Sequence, residues 1–414
     1  MSQLNIALAV MGGVAVGIAL LSAMIKRNPI SEPAIAVIVG LAVGPFGLGW
    51  LDLQRWGDVF PILEQAARLT VAIGLMGVAM RLQQHTLRRL LKPVALLLTV
   101  VMLGMWLVSS ALAGWLLGFS PWAALLLGAV ITPTDPVVAS SIVTGKFAEQ
   151  HLPLRLRDTL SAESGANDGL AYLFVMLPIL ILSQDVDAGW SRWLFDAVLV
   201  GVLGAAVFGG FVGWAAARLL RYAQQRDWVA STSLLGYTVA FTLLTLGLAK
   251  LLNTDGLLAV FAAGLAFNLS SDRQDEQEDE HIQEAVAKLF TLPMFVLFGI
   301  ALPLQDWVSL GWPLIALAIS ILLLRRLPIV MLASLGWQGI LNRRDSIYLG
   351  WFGPLGIAAI YYAALAHRHL HDPSYWHAVS ALIFCSIMAH GVTAAPLSRW
   401  YASTPGPKPK GAPD

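Results

Sequence analysis

Charged residues are scarce in this sequence of 414 residues, where Asp, Glu, Lys and Arg make up 12% of the chain. Average proteins carry about twice that share, roughly 25%. Hydrophobic residues reach 57%, and the mean hydropathy is +0.71. This composition is typical of a protein that crosses a membrane many times. The net charge of +1 is spread over short loops and forms no basic face, so we expect no nucleic-acid partner.

Cysteine is nearly absent. The single residue, Cys385, lies within an apolar stretch, which excludes a disulfide framework and favours a simple core position. The first five residues contain no Lys or Arg, and the apolar stretch 4–25 is longer than the roughly 7–15 residues of a signal-peptide core. We therefore expect this stretch to remain as the first membrane helix.

Long apolar stretches recur along the whole chain at close to the ~20 residues that a helix needs to cross a bilayer. The sequence predicts an all-α protein with about thirteen spans. They fall at about 4–25, 33–53, 58–83, 93–118, 121–144, 159–182, 192–222, 229–250, 255–270, 286–304, 308–337, 345–367 and 376–399.

Two polar segments lie outside these spans. Residues 271–284 are strongly acidic, and we interpret them as a solvated linker, with cation gathering or pH sensing through His281 as the alternative. Residues 401–414 are rich in Pro, Gly and Lys and are expected to form a disordered tail.

The basic residues predict how the chain is oriented. Most of the 26 Lys and Arg residues fall in the loops that share one side if the N-terminus lies outside. Cytoplasmic loops are the ones that hold Lys and Arg. We therefore expect a multi-pass protein of the cell membrane with its N-terminus outside and its C-terminus in the cytoplasm.

Two of the predicted spans are interrupted near their middle. Span 5 contains Pro133-Thr134-Asp135-Pro136, and span 12 contains Gly353-Pro354. Pro removes a backbone donor, so both spans should unwind there. Their offset of seven spans predicts two inverted six-helix repeats, and matched broken helices in such repeats are typical of a transporter's binding site. Kinks that serve packing alone are the alternative.

Span 6 adds polar residues with helical spacing. Ser164 and Asp168 lie four residues apart on one stripe, and Glu163 and Asn167 lie on the next. A charged side chain at the bilayer centre costs roughly 2.5–3.5 kcal/mol on insertion scales, so such carboxylates mark a functional site. We expect the stripe of Ser164 and Asp168 to meet Thr134 and Asp135 of span 5, and the other stripe to face elsewhere.

The chemistry of this oxygen cluster favours a hard monovalent cation. Carboxylate, hydroxyl and carbonyl oxygens suit such ions, and the absence of Cys and His argues against a transition metal. No other metal and no cofactor are expected, and the chain is not expected to be an enzyme.

Span 11 supplies two cations, Arg325 and Arg326. We expect Arg326 to pair with Glu163 and so to orient Asn167, because a charge buried without a partner is costly. The alternative is that the arginines extend to the inner face, which fits Arg325 better. On span 3, Glu64 and Arg68 are four residues apart and are expected to neutralise one another.

Histidines near the C-terminus offer weaker signals. His367, His369 and His371 alternate in a predicted outer loop, where they would be solvated, with Zn²⁺ binding in an extended segment or external pH sensing as alternatives. His390 in span 13 is interpreted as a hydrogen-bonded core residue, with a proton relay as the alternative.

The chain resembles the monovalent cation:proton antiporter-1 family, the NhaP-type Na⁺/H⁺ exchangers, in a set of three motifs. These are Thr134-Asp135-Pro136 in span 5, Glu163-Ser164 with Asn167-Asp168 in span 6, and the arginine of span 11. The resemblance implies cation binding by Asp168, Ser164 and the Thr134 backbone, with Asp135 close by, and a structural pair between Glu163 and the span-11 arginine. It also implies a homodimer. Departures are Leu355, where many relatives have Arg, and the absence of an acid near the end of span 3.

The family architecture implies a division of the chain into moving core helices and static scaffold helices that form the dimer. The expected segments are scaffold 1–92, core 93–183, connecting helix 184–227, scaffold 228–306 with the acidic loop, core 307–400, and tail 401–414.

A mechanism follows as an expectation. Asp168 would bind either a proton or a cation, and a moving core would carry it between the two faces of the membrane. Related electrogenic exchangers are similar but carry a second Asp at the position of Asn167, so we expect one proton to exchange for one monovalent cation. Na⁺ is the expected cation, with Li⁺ or K⁺ as alternatives. A K⁺/H⁺ antiporter, a cation channel and a membrane hydrolase with Ser164 as nucleophile, using a distant base such as His390, are the alternatives.

Overall fold

The computed structural model describes residues 2–27, 31–82, 84–136, 138–184, 186–229, 234–271, 276–336 and 342–404. Within these ranges the chain is helical and contains no strand. The helices are α1 Ser2–Arg27, α2 Glu32–Val43, α3 Val59–Arg81, α4 Gln84–Leu96, α5 Met102–Leu117, α6 Pro121–Val130, α7 Ser140–Val143, α8 Gly145–His151, α9 Leu154–Ser183, α10 Val186–Arg192, α11 Ala205–Gln225, α12 Leu234–Leu251, α13 Gly256–Ser270, α14 Glu276–Ile300, α15 Leu304–Leu310, α16 Trp312–Leu324, α17 Leu327–Gly336, α18 Arg343–Trp351, α19 Ile357–Leu370 and α20 Ser374–Ser403.

Several of these helices are long and apolar enough to cross a bilayer. Seven qualify by length and composition among the described residues, and the bent pair formed by α14 and α15 would make an eighth. Others, such as α2, α6 and α13, are apolar but shorter. The composition-based prediction of an all-helical membrane protein agrees with this architecture, while the count of thirteen spans stays a prediction.

Two predicted segments differ from the structure at their boundaries. The span expected at 33–53 ends as a helix at Val43, because Gly44 follows and the glycine-rich chain then turns. The acidic segment 271–284 is not one loop, since α14 begins at Glu276 and residues 272–275 lie outside the described residues.

The predicted tail begins later than expected. Helix α20 runs through Ser403, and residues 405–414 lie outside the described residues. Tyr401 is buried within this helix, and its hydroxyl donates to the Asp345 carboxylate of α18 at 2.7 Å. This contact fastens the end of α20 to the start of α18.

The interior of the molecule is formed where α9 packs between α6, α13 and α19. Close approach of α9 to α13 depends on Gly165 and Gly169. A Cβ atom at Gly165 would collide with the ring of Phe261, and one at Gly169 with the backbone of Leu258. Four polar residues of α9 thereby lie in the buried centre of the protein: Glu163, Ser164, Asn167 and Asp168.

Candidate functional site

Both predicted interruptions are non-helical, and they touch each other. Helix α6 ends at Val130 and α7 begins at Ser140, while α18 ends at Trp351 and α19 begins at Ile357. The backbone N–H of Asp135 donates to the carbonyl of Pro354 at 2.8 Å. The proline-containing segment of one broken span is therefore bonded directly to the Gly-Pro segment of the other.

The Asp135 carboxylate lies where two helical segments begin. Its Oδ1 accepts from the N–H of Val138 at 3.2 Å, and its Oδ2 accepts from the N–H of Ile357 at 2.5 Å. The start of a helix carries partial positive charge and free N–H groups, which a carboxylate complements. Asp135 thus joins the first break to the start of α19.

Arg325 lies where two helices end, whereas Asp135 lies where two helical segments begin. Its guanidinium is 3% exposed and donates to the carbonyls of Ile131 and Gly353, which lie where α6 and α18 end. Helix C-termini carry partial negative charge and carbonyls without partners. The alternative that Arg325 extends to the inner face is therefore wrong, because these carbonyls provide its partners inside the protein.

Arg326 and Glu163 form a buried ion pair. Arg326 Nη1 and Nη2 lie 2.8 and 3.0 Å from the two Glu163 oxygens, and both side chains are nearly inaccessible. Arg326 Nε also donates to the carbonyl of Leu349 on α18 at 2.8 Å. A two-pronged contact of this kind fixes direction as well as distance, so the pair links α9 to the second broken span.

Asn167 connects this ion pair to the first break. Its Nδ2 donates to Glu163 Oε1 at 2.8 Å and to Thr134 Oγ1 at 2.8 Å, and its Oδ1 accepts from the N–H of Thr134 at 3.1 Å. Thr134 Oγ1 also lies 2.9 Å from Ser164 Oγ. The chain of contacts therefore runs from Glu163 through Asn167 and Thr134 to Ser164.

The expectation that Glu163 and Asn167 face away from span 5 is wrong. Successive residues of a helix differ by only about 100°, so both stripes of α9 lie on one side of it. The extended backbone around Thr134 is wide enough to contact both stripes, through Asn167 on one and Ser164 on the other.

Asp168 differs from the other polar residues of the centre. It is 1% exposed, and its Oδ1 accepts no hydrogen bond from any described residue. Its backbone carbonyl accepts from the hydroxyl of Tyr362 at 2.5 Å. Buried polar atoms nearly always have partners, so an unpartnered carboxylate oxygen indicates an atom that serves something other than the fold.

Tyr362 was not identified from the sequence. Its hydroxyl ties α19 to the backbone of Asp168, and it is fully buried. The sequence offers two adjacent tyrosines here, Tyr361 and Tyr362, and does not indicate which hydroxyl has a functional contact. A tyrosine in such a place is more often a packing residue, so the contact depends on tertiary structure that the sequence does not reveal.

Three other predictions are corrected by the geometry. Glu64 does not pair with Arg68; it lies 3.1 Å from Arg368 of α19 instead. The outer histidines do not form a separate loop, since His367 and His369 belong to the last turn of α19 and His371 follows it. The alternative of Zn²⁺ binding is not supported, because among the described residues no group of His, Cys, Asp or Glu is arranged to hold a metal ion.

A hydrolase site is not supported by the contacts of Ser164. The Ser164 hydroxyl bonds to Thr134. In His390, Nδ1 contacts Ser386 and Nε2 contacts the carbonyl of Trp351. A nucleophilic serine needs a base within hydrogen-bonding reach. His390 is engaged elsewhere, as the interpretation of a hydrogen-bonded core residue predicted.

The crossing of the two breaks leaves no room for a side chain at Gly356. A Cβ atom built there would overlap the Asp135 carboxylate. We expect Gly356→Ala to lower the apparent unfolding temperature, because Asp135 must then leave the N–H of Ile357. Thermal unfolding of the purified protein in detergent measures this. Gly210→Ala, at a glycine of α11 with open space around it, is the matched control and should not lower the unfolding temperature, because Ala favours a helix over Gly.

These features define a class of protein: a helical membrane protein in which two discontinuous helices meet and a neighbouring helix carries a buried carboxylate, one oxygen of which has no partner among the described residues. The sodium/hydrogen exchanger transmembrane model matches residues 13–400 of the chain. The chain therefore belongs to the sodium/hydrogen exchanger family, and the resemblance based on its motifs is confirmed.

Named relatives cover most of the chain. A Na⁺/H⁺ antiporter of Saccharomyces cerevisiae is 30% identical over 381 residues, which are 90% of this chain and 38% of the relative. A Na⁺/H⁺ antiporter of Zygosaccharomyces rouxii is 32% identical over 83% of this chain and 43% of the relative. The chain thus spans well under half the length of these two proteins.

A solved structure gives the fold match. The sodium proton antiporter of Methanocaldococcus jannaschii superimposes with a TM-score of 0.76 at 19% identity, covering 97% of this chain and 100% of that one. At this identity the likeness concerns the fold alone. The roles of individual residues in ion binding stay predictions.

Proposed function

We propose that this protein is a secondary transporter that exchanges a monovalent cation, Na⁺ in the first instance, for H⁺. The observation that carries the proposal is the Asp168 carboxylate, buried at the centre with an oxygen that no described residue satisfies. A bound proton or a bound cation would each complete this group. Competition between the two at one site is sufficient to couple their movements.

The cation site would be formed by Asp168, Ser164 and Thr134, with Asp135 close by. Ser164 and Thr134 hold their hydroxyls 2.9 Å apart, and a hard cation would use such oxygens as ligands. Asp135 is assigned a supporting role through its charge, because two backbone N–H groups already fix its carboxylate at the start of two helical segments. Glu163, Asn167 and Arg326 support this site by fixing Thr134, and Pro133, Pro136, Gly353 and Pro354 create the breaks.

Alternating access would arise from a core that moves against a scaffold. The core consists of 93–183 and 307–400, the scaffold and dimer contact of 1–92 and 228–306, and the connection of 184–227. Thirteen spans in two inverted repeats, with the N-terminus outside, belong to the same proposal. Its support is that two helices of the structure are interrupted and that their non-helical segments are bonded to each other, an arrangement typical of transporter binding sites.

The transported cation has two candidates. The relatives from the two yeasts are named Na⁺/H⁺ antiporters, whereas a relative in Alkalimonas amylolytica, 24% identical over 97% of this chain, is named a K⁺/H⁺ antiporter. Dequenching of a pH-sensitive dye in acid-loaded proteoliposomes, on addition of Na⁺, Li⁺ or K⁺ in turn, distinguishes them. We expect Na⁺ to give the largest response at equal concentration. A response to K⁺ alone would assign the chain to K⁺/H⁺ exchange.

Exchange is expected to be electroneutral. Asn167 carries no charge, and its amide is bonded to Glu163 and Thr134, so Asp168 is the one carboxylate left to alternate between a proton and a cation. A voltage-sensitive dye in the same proteoliposomes should therefore record no potential during Na⁺-driven proton movement. A valinomycin-induced K⁺ potential is the positive control. A potential generated by transport would contradict the exchange of one proton for one cation.

A cation channel is the competing function, and the same vesicles separate the two. An antiporter moves protons only when a cation moves the other way, so the proton flux must depend on the opposing cation gradient. Cation flux that persists without counter-transported protons would favour the channel.

A further inference from the structure

One face of α20 contacts the second break. Ser386, His390 and Thr393 lie at helical spacing on this face. Ser386 Oγ accepts from the N–H of Leu355 at 2.8 Å, and His390 Nε2 lies 3.0 Å from the carbonyl of Trp351. Thr393 Oγ1 accepts from the indole N–H of Trp351 at 2.9 Å. Three side chains of one helix therefore contact Trp351 and Leu355, which flank the break.

These contacts supply partners that the interrupted helix cannot. A helix that stops leaves terminal carbonyls and following amides without partners, and burial makes such groups costly. The carbonyl of Trp351 also accepts from the N–H of Gly353 at 2.9 Å, whereas the N–H of Leu355 donates to Ser386 Oγ. Ser386 and His390 are both buried, at 1% and 6% exposure. Ser386 is thus the more important contact to the break, and His390 is the second, because the carbonyl that His390 contacts has another partner.

The same break is bonded directly to the cation site. Leu355 follows Pro354, whose carbonyl accepts from the N–H of Asp135, and it lies two residues before Ile357, whose N–H donates to the Asp135 carboxylate. A shift of Leu355 would move both contacts of Asp135. Thr134, the adjacent residue and a proposed cation ligand, would move with it.

The surroundings of His390 favour a positioning role. A small cavity lined by Ser386 and His390 is also lined by Arg325 and Arg326, and no carboxylate is among its described lining residues. His390 Nδ1 lies 3.1 Å from Ser386 Oγ and 2.8 Å from the Ser386 carbonyl, so both ring nitrogens are engaged in hydrogen bonds. The ring links Ser386 to the end of α18.

We infer that Ser386 and His390 are positioning residues of the cation site, which hold the break between α18 and α19 so that Asp135 and Thr134 keep their places. The inference rests on the proposed function, since it assigns these residues to the same site. Ser386→Ala should raise the apparent KM for Na⁺ roughly tenfold with little change in the maximal rate, because a buried N–H loses its acceptor.

The experiment compares four variants in proteoliposomes, with Na⁺-dependent proton efflux measured over a range of pH. Ser386→Ala and His390→Leu should raise the apparent KM, whereas His390→Gln should restore it, because the glutamine amide can donate to the carbonyl of Trp351. Ser380→Ala is the matched control: it removes a buried hydroxyl of the same helix that accepts from Trp307 at 3.1 Å. This variant should keep the wild-type KM.

Other outcomes would overturn the inference. A KM in Ser386→Ala equal to that in Ser380→Ala would exclude positioning by Ser386. A changed pH profile in His390→Gln would make His390 a proton carrier instead.

A second measurement tests Ser386 and His390 even if the vesicles show no exchange. It is the Na⁺-induced thermal stabilisation of the same variants in detergent. Binding without exchange would refute the proposed function alone, and the absence of both would refute both.

Discussion

Asp168→Asn should abolish Na⁺-driven proton movement, leaving proteoliposomes at the background of protein-free vesicles. The amide keeps the size of the side chain but can neither take up a proton at this site nor offset the charge of a cation. In the wild type, the Asp168 carboxylate has an oxygen with no partner among the described residues, and it lies on α9 one turn from Ser164. Loss of the one competing group removes the coupling between the two ions.

A second measurement separates loss of binding from loss of movement. A ligand that binds only the folded state stabilises it by about 2.7 kcal/mol at a hundred times its Kd. Na⁺ should therefore raise the apparent unfolding temperature of the wild type and leave that of Asp168→Asn unchanged. Asp255→Asn is the control, since Asp255 is a buried carboxylate that caps α13 through the N–H of Leu258 at 2.7 Å, a bond that Asn can also accept. Exchange that survives in Asp168→Asn would refute the site assignment.

Breaking the Glu163–Arg326 pair should have the largest effect on stability. Removal of one partner of a buried ion pair typically costs about 3–5 kcal/mol, because the other charge stays buried alone. We expect Arg326→Met and Glu163→Leu each to lower the free energy of unfolding by about this amount. Replacing both partners by apolar residues should recover much of the loss. Denaturation of the purified variants in detergent measures the difference.

Transport should not recover with stability in the double variant. Glu163 Oε1 accepts from Asn167, and Asn167 in turn holds Thr134 through two hydrogen bonds. The double variant should therefore fold but lose this orientation of Thr134. Arg55→Ala is the control, because the exposed pair of Arg55 and Asp52 should contribute only about 0–1 kcal/mol. A double variant with wild-type exchange would show that the pair serves the fold alone.

The sequence was most informative where the chain departs from a regular helix. The prolines at Pro133 and Pro136 and the pair Gly353-Pro354 predicted two interruptions, because these residues act locally on the backbone. Helical spacing likewise predicted the adjacency of Ser164 with Asp168 and of Glu163 with Asn167, which one helix determines by itself.

Contacts between distant segments were less predictable. Arg325 and Arg326 are identical neighbours, and the helix is interrupted between Leu324 and Leu327. Their different directions depend on the packing of the two broken spans and of α9 around them. The spacing of Glu64 and Arg68 suggested a pair, but such pairs on a helix contribute only about 0.2–0.5 kcal/mol. A tertiary partner, Arg368, takes Glu64 instead.

Histidine illustrates the same limit. His390 was interpreted as a hydrogen-bonded core residue, which it is, but nothing in the sequence indicates that it contacts Trp351 at the end of α18. The two residues are separated along the chain, and only the packing of α20 against the break brings them together. The proposed positioning role could therefore come only from the structure.

The measurement that tests the central claim most directly is the apparent KM for Na⁺ as a function of pH, determined in proteoliposomes with both faces held at the same pH. If one carboxylate binds either a proton or a cation, the apparent KM must rise about tenfold for each unit of pH below the range where the proton begins to occupy Asp168. The maximal rate at saturating Na⁺ should then stay constant across this range. A KM that is independent of pH, with only the maximal rate changing, would contradict competition at Asp168.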